Sequence, residues 1–197
     1  MNKRKSLRIV AFVLTVALFA LLQMSCSQYN YSSPLPGIID LRLHTVSDTT
    51  DVAFGPLNNF VLKVSQIQTT RSDGAYAVIY ADLKATGRTT GIYNTLDYTA
   101  RDSSMVLGEA YLPPGDYVGI LMIIDPGSFM VLDGYRTIPV IRAPSLSSGL
   151  FFRKAFKIAE GRRTNIILTI DLQRSLTKLA DQYLFDPLYY ISSIQYE

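Results

Sequence analysis

From Gly37 onward the chain alternates apolar and polar residues with a period of two, and Gly, Pro, Asn and Asp interrupt the pattern every few residues. That is the signature of short strands joined by tight turns. Ile39, Leu41 and Leu43 alternate with Asp40, Arg42 and His44. Phe60, Leu62 and Val64 alternate with Val61, Lys63 and Ser65, and Tyr76, Val78 and Tyr80 with Ala77, Ile79 and Ala81. Each set gives one buried face. Tyr117 to Ile124 is apolar on both faces, which predicts a central strand, either covered on both sides or carrying an exposed patch.

Phe152, Phe156 and Ile158, then the Glu160-Gly161 turn, then Ile166, Leu168, Ile170 and Leu172 read as a hairpin. Asp133-Gly134 reads as a second, because a primed turn needs positive φ. Pro113-Pro114-Gly115-Asp116 suits a turn whose proline pre-sets φ and whose glycine takes the left-handed position. Tyr189 to Tyr196 should close a sheet. Ser175 to Tyr183 places Leu176, Leu179 and Ala180 at helical spacing but reads equally well as a strand with a loop. The whole predicts an all-β fold, an antiparallel β-sandwich of about seven or eight strands.

The N-terminus follows a different pattern. Lys3, Arg4, Lys5 and Arg8 precede a run from Ile9 to Leu22 in which Thr15 is the only polar residue. Fourteen residues of helix rise about 21 Å against a hydrocarbon core of roughly 30 Å, so the run reads as the apolar region of a signal peptide. Gln23-Met24-Ser25-Cys26 follows and resembles a bacterial lipobox. There a small residue, here Ser25, precedes a cysteine that is acylated and becomes the new N-terminus, and Gln23 stands where leucine is usual. The resemblance assigns lipid attachment to Cys26, the only cysteine. Ordinary secretion and an uncleaved anchor are the alternatives. Two or more acyl chains hold a membrane stably where one does not. The expected organisation is a signal peptide over 1–25, a lipidated tether over 26–36 and a β-sandwich domain over 37–197. Ser27 is not the aspartate that retains some lipoproteins at the inner membrane, which favours an outer-membrane lipid anchor.

Removing the signal changes the charge. Of 19 basic and 16 acidic side chains, four basic and no acidic ones precede Cys26, leaving 15 against 16. A near-neutral mature chain gives no footing for a nucleic-acid backbone. A nucleotide site has no support either, since Gly115, Gly119 and Gly127 follow no dinucleotide spacing.

The residues Leu107-Gly-Glu-Ala-Tyr-Leu-Pro-Pro-Gly-Asp-Tyr-Val-Gly-Ile-Leu, then Ser148-Gly-Leu ahead of Phe156-Lys-Ile-Ala-Glu-Gly, then Ile170-Asp-Leu-Gln-Arg-Ser-Leu and Asp186-Pro187-Leu188 resemble the bacterial domain-of-unknown-function family 4382 over about residues 38 to 195. At Thr45-Val46-Ser47-Asp48 the chain departs from the threonine-aspartate-alanine-proline stretch common in that family. The resemblance implies a transthyretin-like, or prealbumin-like, sandwich in an envelope protein without assigned chemistry.

Candidate chemistry is sparse. His44 is the only histidine and no Gly-x-Ser-x-Gly elbow accompanies it, so a Ser-His-Asp triad is disfavoured. One His and one acylated Cys cannot supply a zinc set. Asp48 with Asp51, or Asp97 with Asp102, lack a calcium-loop pattern and read as solvated carboxylates. Only three glutamates occur, Glu197 among them. Thirteen tyrosines without tryptophan stand out. Tyr29, Tyr31, Tyr93, Tyr98, Tyr189 and Tyr190, near loops and edges, offer stacking surfaces for a partner or sugar, although tyrosine also fills half-buried sheet faces. The expectation is therefore a non-enzymatic envelope protein without metal or other cofactor, attached to the membrane by its lipid. Its sandwich would bind an envelope protein or glycan at a site that the sequence leaves unknown. A structural spacer or pilin-like assembly subunit, exchanging a first strand around Ile38 to Val46, is the alternative, and a hydrolase a distant third.

Overall fold

The computed structural model describes residues 33–47, 58–81, 92–98 and 103–197. The signal region, Cys26 and most of the tether lie outside these residues, as do Tyr29, Tyr31, Asp48, Asp51 and Asp102.

Thirteen strands run β1 (Gly37–Val46), β2 (Asn59–Arg71), β3 (Tyr76–Ala81), β4 (Ile92–Asn94), β5 (Met105–Leu112), β6 (Gly115–Ile124), β7 (Phe129–Leu132), β8 (Arg136–Arg142), β9 (Leu150–Ile158), β10 (Arg163–Asp171), β11 (Leu176–Lys178), β12 (Tyr183–Phe185) and β13 (Leu188–Tyr196). One sheet has four strands in the order β13-β10-β1-β5. The other has nine and is organised by β2, whose first half lies between β4 and β7 and whose second half lies between β3 and β6. β9 extends it beside β6, and β8, β12 and β11 extend it beyond β7.

Alternation delivers one apolar face from each sheet to a shared core. β1 contributes Ile39, Leu41 and Leu43, and β10 contributes Ile166, Leu168 and Ile170, all fully buried. Phe60, Leu62, Ile67, Ile120, Met122 and Phe152 answer from the other sheet. Phe60 meets Phe185 edge-on, with ring centroids 5.2 Å apart. Pro34–Glu197 forms one compact unit.

Several expectations need correction. Among the described residues the strands number thirteen rather than seven or eight, and the sheets are mixed rather than antiparallel. β1 runs parallel to β10 and β12 parallel to β8. Alternation reports which face is buried but carries no information about strand direction. The segments either side of Glu160-Gly161 are not a hairpin, because β9 pairs with β6 while β10 pairs with β1 and β13. The turn carries the chain from one sheet to the other, so the apolar faces of β9 and β10 meet across the core. In β3 the buried face is the one that carries Ile79, whereas Tyr76 is 70% and Val78 43% exposed. A register shift at Ile67 and Gln68 of β2 leaves Ile79 as the extra residue on β3.

Other expectations hold. Asp133 and Gly134 both have positive φ, 55° and 78°, and join β7 to β8 as an antiparallel pair. β13 closes one edge of the four-stranded sheet, and Lys154 of β9 donates to the Ile191 carbonyl on β13. β6 is central, between β2 and β9, and its second face carries a partly exposed patch with Val118 39% exposed. Residues 175–183 resolve as the end of a four-residue helical turn (Leu172–Ser175), then β11 and a loop into β12.

Candidate functional site

The family-signature residues form two self-contained clasps. At the β5–β6 corner the Tyr117 ring is buried and stacks on Phe156 at 5.4 Å, and its hydroxyl donates to the Pro113 carbonyl at 2.7 Å. This is the back-reach of a tyrosine corner. Burial raises the Tyr117 hydroxyl above its usual pKa of 10.0, with Arg71 pulling it down and Asp73 pushing it up by smaller amounts. At the other clasp Asp171 caps the helical turn by accepting from the Arg174 amide at 3.1 Å. The Ser175 hydroxyl donates to the Asp171 carbonyl and accepts from the Leu188 amide at 2.9 Å, while the Ser175 carbonyl accepts from the Asp186 amide at 2.9 Å. Asp-x-x-x-Ser and Asp-Pro-hydrophobic are thus the two halves of one knot. Gly149 of Ser148-Gly149-Leu150 has φ 94°, and a Cβ there would lie 2.5 Å from the Met122 carbonyl oxygen. These motifs hold the fold.

The candidate site lies elsewhere, on the outward face of the four-stranded sheet. Strand pairing places Glu109 (β5) opposite Asp40 (β1), Asp40 beside Asn165 (β10) and Asn165 opposite Gln195 (β13). Four carboxyl and amide side chains therefore form one row across all four strands. Arg163 lies on one side of the row and Arg42 on the other. Arg163 donates to Glu109 at 2.7 Å and sits 3.6 Å from Asp40, and Arg42 reaches the same Asp40 oxygen at 3.3 Å. The bond to Glu109 is the main cause that raises the Arg163 pKa above its usual value. Asn165 donates to Glu197 at 2.6 Å.

Asp40, Arg42, Ser104, Arg163, Asn165, Ile167, Ser193, Gln195 and Glu197 line an open concavity of about 320 Å³. Asp40 Oδ1 and Asn165 Oδ1 are shielded from solvent and have no hydrogen-bond partner. Only five side-chain atoms among the described residues share that condition, and these two belong to neighbouring residues in one concavity. Shielded acceptors without donors are costly. A second concavity, about 280 Å³ between β8 and the loop before β12, contains none of them.

The other sequence candidates are dispersed. His44 Nδ1 lies 2.8 Å from the Ser103 carbonyl, so that nitrogen carries the proton and donates. Nothing of the Tyr93, Asp97 and Tyr98 side chains falls within the described structure. Tyr189 packs edge-on against Phe152 at 4.8 Å, leaving Tyr190 the outward member of that pair at 49% exposure. Among the described residues the most exposed tyrosines are Tyr135, Tyr76 and Tyr111, and of these only Tyr111, two residues from Glu109 on β5, borders the polar row. No group of three His, Cys, Asp or Glu suited to a metal occurs among the described residues.

Residues 45–187 match the family model described as Domain of unknown function (DUF4382), and the chain belongs to that family. The matched span is shorter than the resemblance implied: it leaves out most of β1 and all of β13, two of the four strands that carry the polar row. No curated protein and no solved structure matches the chain.

Proposed function

We propose that this is a lipid-anchored cell-envelope protein whose transthyretin-like sandwich is a non-catalytic module that binds an envelope protein or glycan. The observation that carries the binding reading is the open concavity on the four-stranded sheet, lined by the charged and amide side chains of Asp40, Arg42, Arg163, Asn165, Gln195 and Glu197. The two-sheet core with β1 parallel to β10 supports the transthyretin-like description. Anchoring rests on the basic, apolar and Ser25-Cys26 sequence, and the exposed Pro34-Leu35-Pro36 segment leads directly into β1. An outer-membrane location goes with Ser27.

Assembly by exchange of β1 is the weaker reading. β1 is an inner strand paired along both edges, and its release would open two ladders and expose Ile39, Leu41 and Leu43.

Two measurements test the proposal. Palmitate labelling in the native host should mark the wild-type chain and not Cys26→Ser, and an unlabelled wild type would end the anchor claim. Photo-cross-linkers at Ser193 on the four-stranded sheet and at Arg153 on β9 should capture a ligand from the first position only. Equal capture from both, or from neither, would remove the binding role from this face.

A further inference from the structure

We infer that the end of the sandwich from which the tether leaves is a membrane-docking surface, and that Leu35, Tyr76, Tyr111 and Tyr196 enter the headgroup layer of the bilayer. The inference rests on the lipid-anchor part of the reading above and adds how the domain stands on the membrane.

Strand pairing gathers these residues at one end. β1 begins at Gly37 opposite Leu112, the last residue of β5, and Ile38 faces Tyr111 on one side and Arg163, the first residue of β10, on the other. β13 finishes beside them, with Tyr196 opposite Thr164. In the second sheet β6 begins at Gly115 opposite Ile158, the last residue of β9, and β2 ends at Arg71, with Tyr76 opposite Thr70. Gly37 packs against Ile158 and Ala159, which brings the two sheet ends together. Four of the five most exposed large hydrophobic side chains among the described residues lie here: Leu35, Tyr76, Tyr111 and Tyr196, each between 60% and 70% exposed. The fifth, Tyr135, marks the opposite end, on the β7–β8 turn where the Asp133 amide donates to Asn58, just before β2. The 13 residues of β2 separate the two ends by about 40 Å.

The tether names the occupant. The Leu35 amide donates to Glu160 at 2.8 Å, and Pro34 and Pro36 restrict the backbone on either side, so the exposed Leu35 side chain is held at the point of exit. Nine residues lead from Cys26 to Leu35, a reach of at most about 30 Å, which keeps this end, and not the Tyr135 end, nearest the bilayer. Tyrosine suits the place, because its ring is apolar and its hydroxyl polar, and such side chains collect at headgroup level. Charges around the patch nearly balance, with exposed Lys157 and Arg162 against Asp116 and Glu160, and Arg71 paired to Asp73 at 3.3 Å. That gives no complement for a strongly acidic or basic partner, so docking persists at high salt and on neutral lipids. The sheet faces then point along the membrane, and the concavity opens sideways.

The chain has no tryptophan, so a single replacement reports on its own position. Tyr76→Trp, Tyr111→Trp, Tyr196→Trp and, as the control, Tyr135→Trp are made in the lipidated full-length protein. Each is placed in phosphatidylethanolamine–phosphatidylglycerol vesicles that contain lipids brominated on the acyl chains. The first three should emit at shorter wavelength than the control and lose intensity to bromine near the carbonyl end of the chains, with the same loss in phosphatidylcholine vesicles and at high salt. Equal quenching at all four positions, or none at the first three, overturns the inference. Amide exchange of the unsubstituted protein is the second measurement. Slowing on vesicles at Asp73 to Tyr76 and Glu160 to Arg162, but not at Asp133 to Arg136, is expected, and unchanged exchange overturns the docking. Shielding that grows with protein concentration, without bromine quenching, assigns the end to a second copy and also overturns it. Palmitate labelling separates this failure from that of the anchor. A labelled chain with unquenched tryptophans overturns the docking and leaves the anchor, whereas an unlabelled chain with unquenched tryptophans overturns both.

Discussion

The signature clasps and the polar row treat their polar groups in opposite ways. In the clasps the signature side chains close on other parts of the chain: Tyr117 on Pro113, Ser175 on Asp171 and Leu188, Asp171 on Arg174. In the row, Asp40 and Asn165 each spend one side-chain atom on a neighbour and leave one oxygen without a donor. A polar group closed on its own chain has little left for a ligand, whereas the row lines a concavity open to one. The residues that mark the family are therefore the wrong place to look for activity, and the outward face of β5, β1, β10 and β13 is the better one.

The contrast breaks or sharpens under substitution. Tyr117→Ala should have the largest effect, a loss of about 3–5 kcal/mol from the removed aromatic ring and the cavity beside Phe156. Urea denaturation will measure it, and a change below about 1 kcal/mol would mean that the corner is not a structural clasp. Ser175→Ala comes next, at about 1–3 kcal/mol, because the Leu188 amide loses its acceptor. Hydrogen exchange should then accelerate at Leu188 and Asp186 ahead of the sheet interior.

The pH dependence is smaller. Tyr117 is held above its usual pKa, so the folded state retains the proton where the unfolded chain has released it. The resulting stability is fully present below about pH 10 and declines as pH rises through the folded value. Melting curves between pH 8 and the alkaline limit should converge for wild type and Tyr117→Phe as the proton is lost, and parallel curves would refute the assignment. Asn165→Ala should have the smallest effect on stability, within about 0.5 kcal/mol, since it removes an unpartnered oxygen along with one exposed bond to Glu197. A loss comparable to that of Ser175→Ala would show the row to be another clasp and remove the contrast.

Much of the core was legible along the chain. Ile39, Leu41 and Leu43 face inward as their alternation with Asp40, Arg42 and His44 requires, and Asp133-Gly134 turns as its positive φ requirement dictates. The failures are of one kind. The segment Tyr76 to Ala81 offers two apolar faces, and only the structure selects the one that carries Ile79; the strands around Glu160-Gly161 are expected to pair, but they belong to different sheets. A period of two states that a strand has an inside, not which partner it meets or in which register.

The same limit hid the candidate site. Asp40 and Arg42 were each visible as the polar half of an alternating strand, but Glu109 read only as part of a motif and Gln195 as part of a closing strand. Their alignment depends on pairings between residues up to 125 positions apart, as in Asp40 with Glu109, Asp40 with Asn165 and Asn165 with Gln195. By itself the amino-acid order determined a β-rich body with apolar inner faces, the turn residues, and a basic, then apolar, then cysteine-bearing N-terminal pattern, because each depends on neighbours a few positions away. Tertiary structure alone decided strand partners, direction and register, because hydrogen bonds between backbones are indifferent to side-chain identity. It thereby brought scattered carboxyl and amide groups into one row.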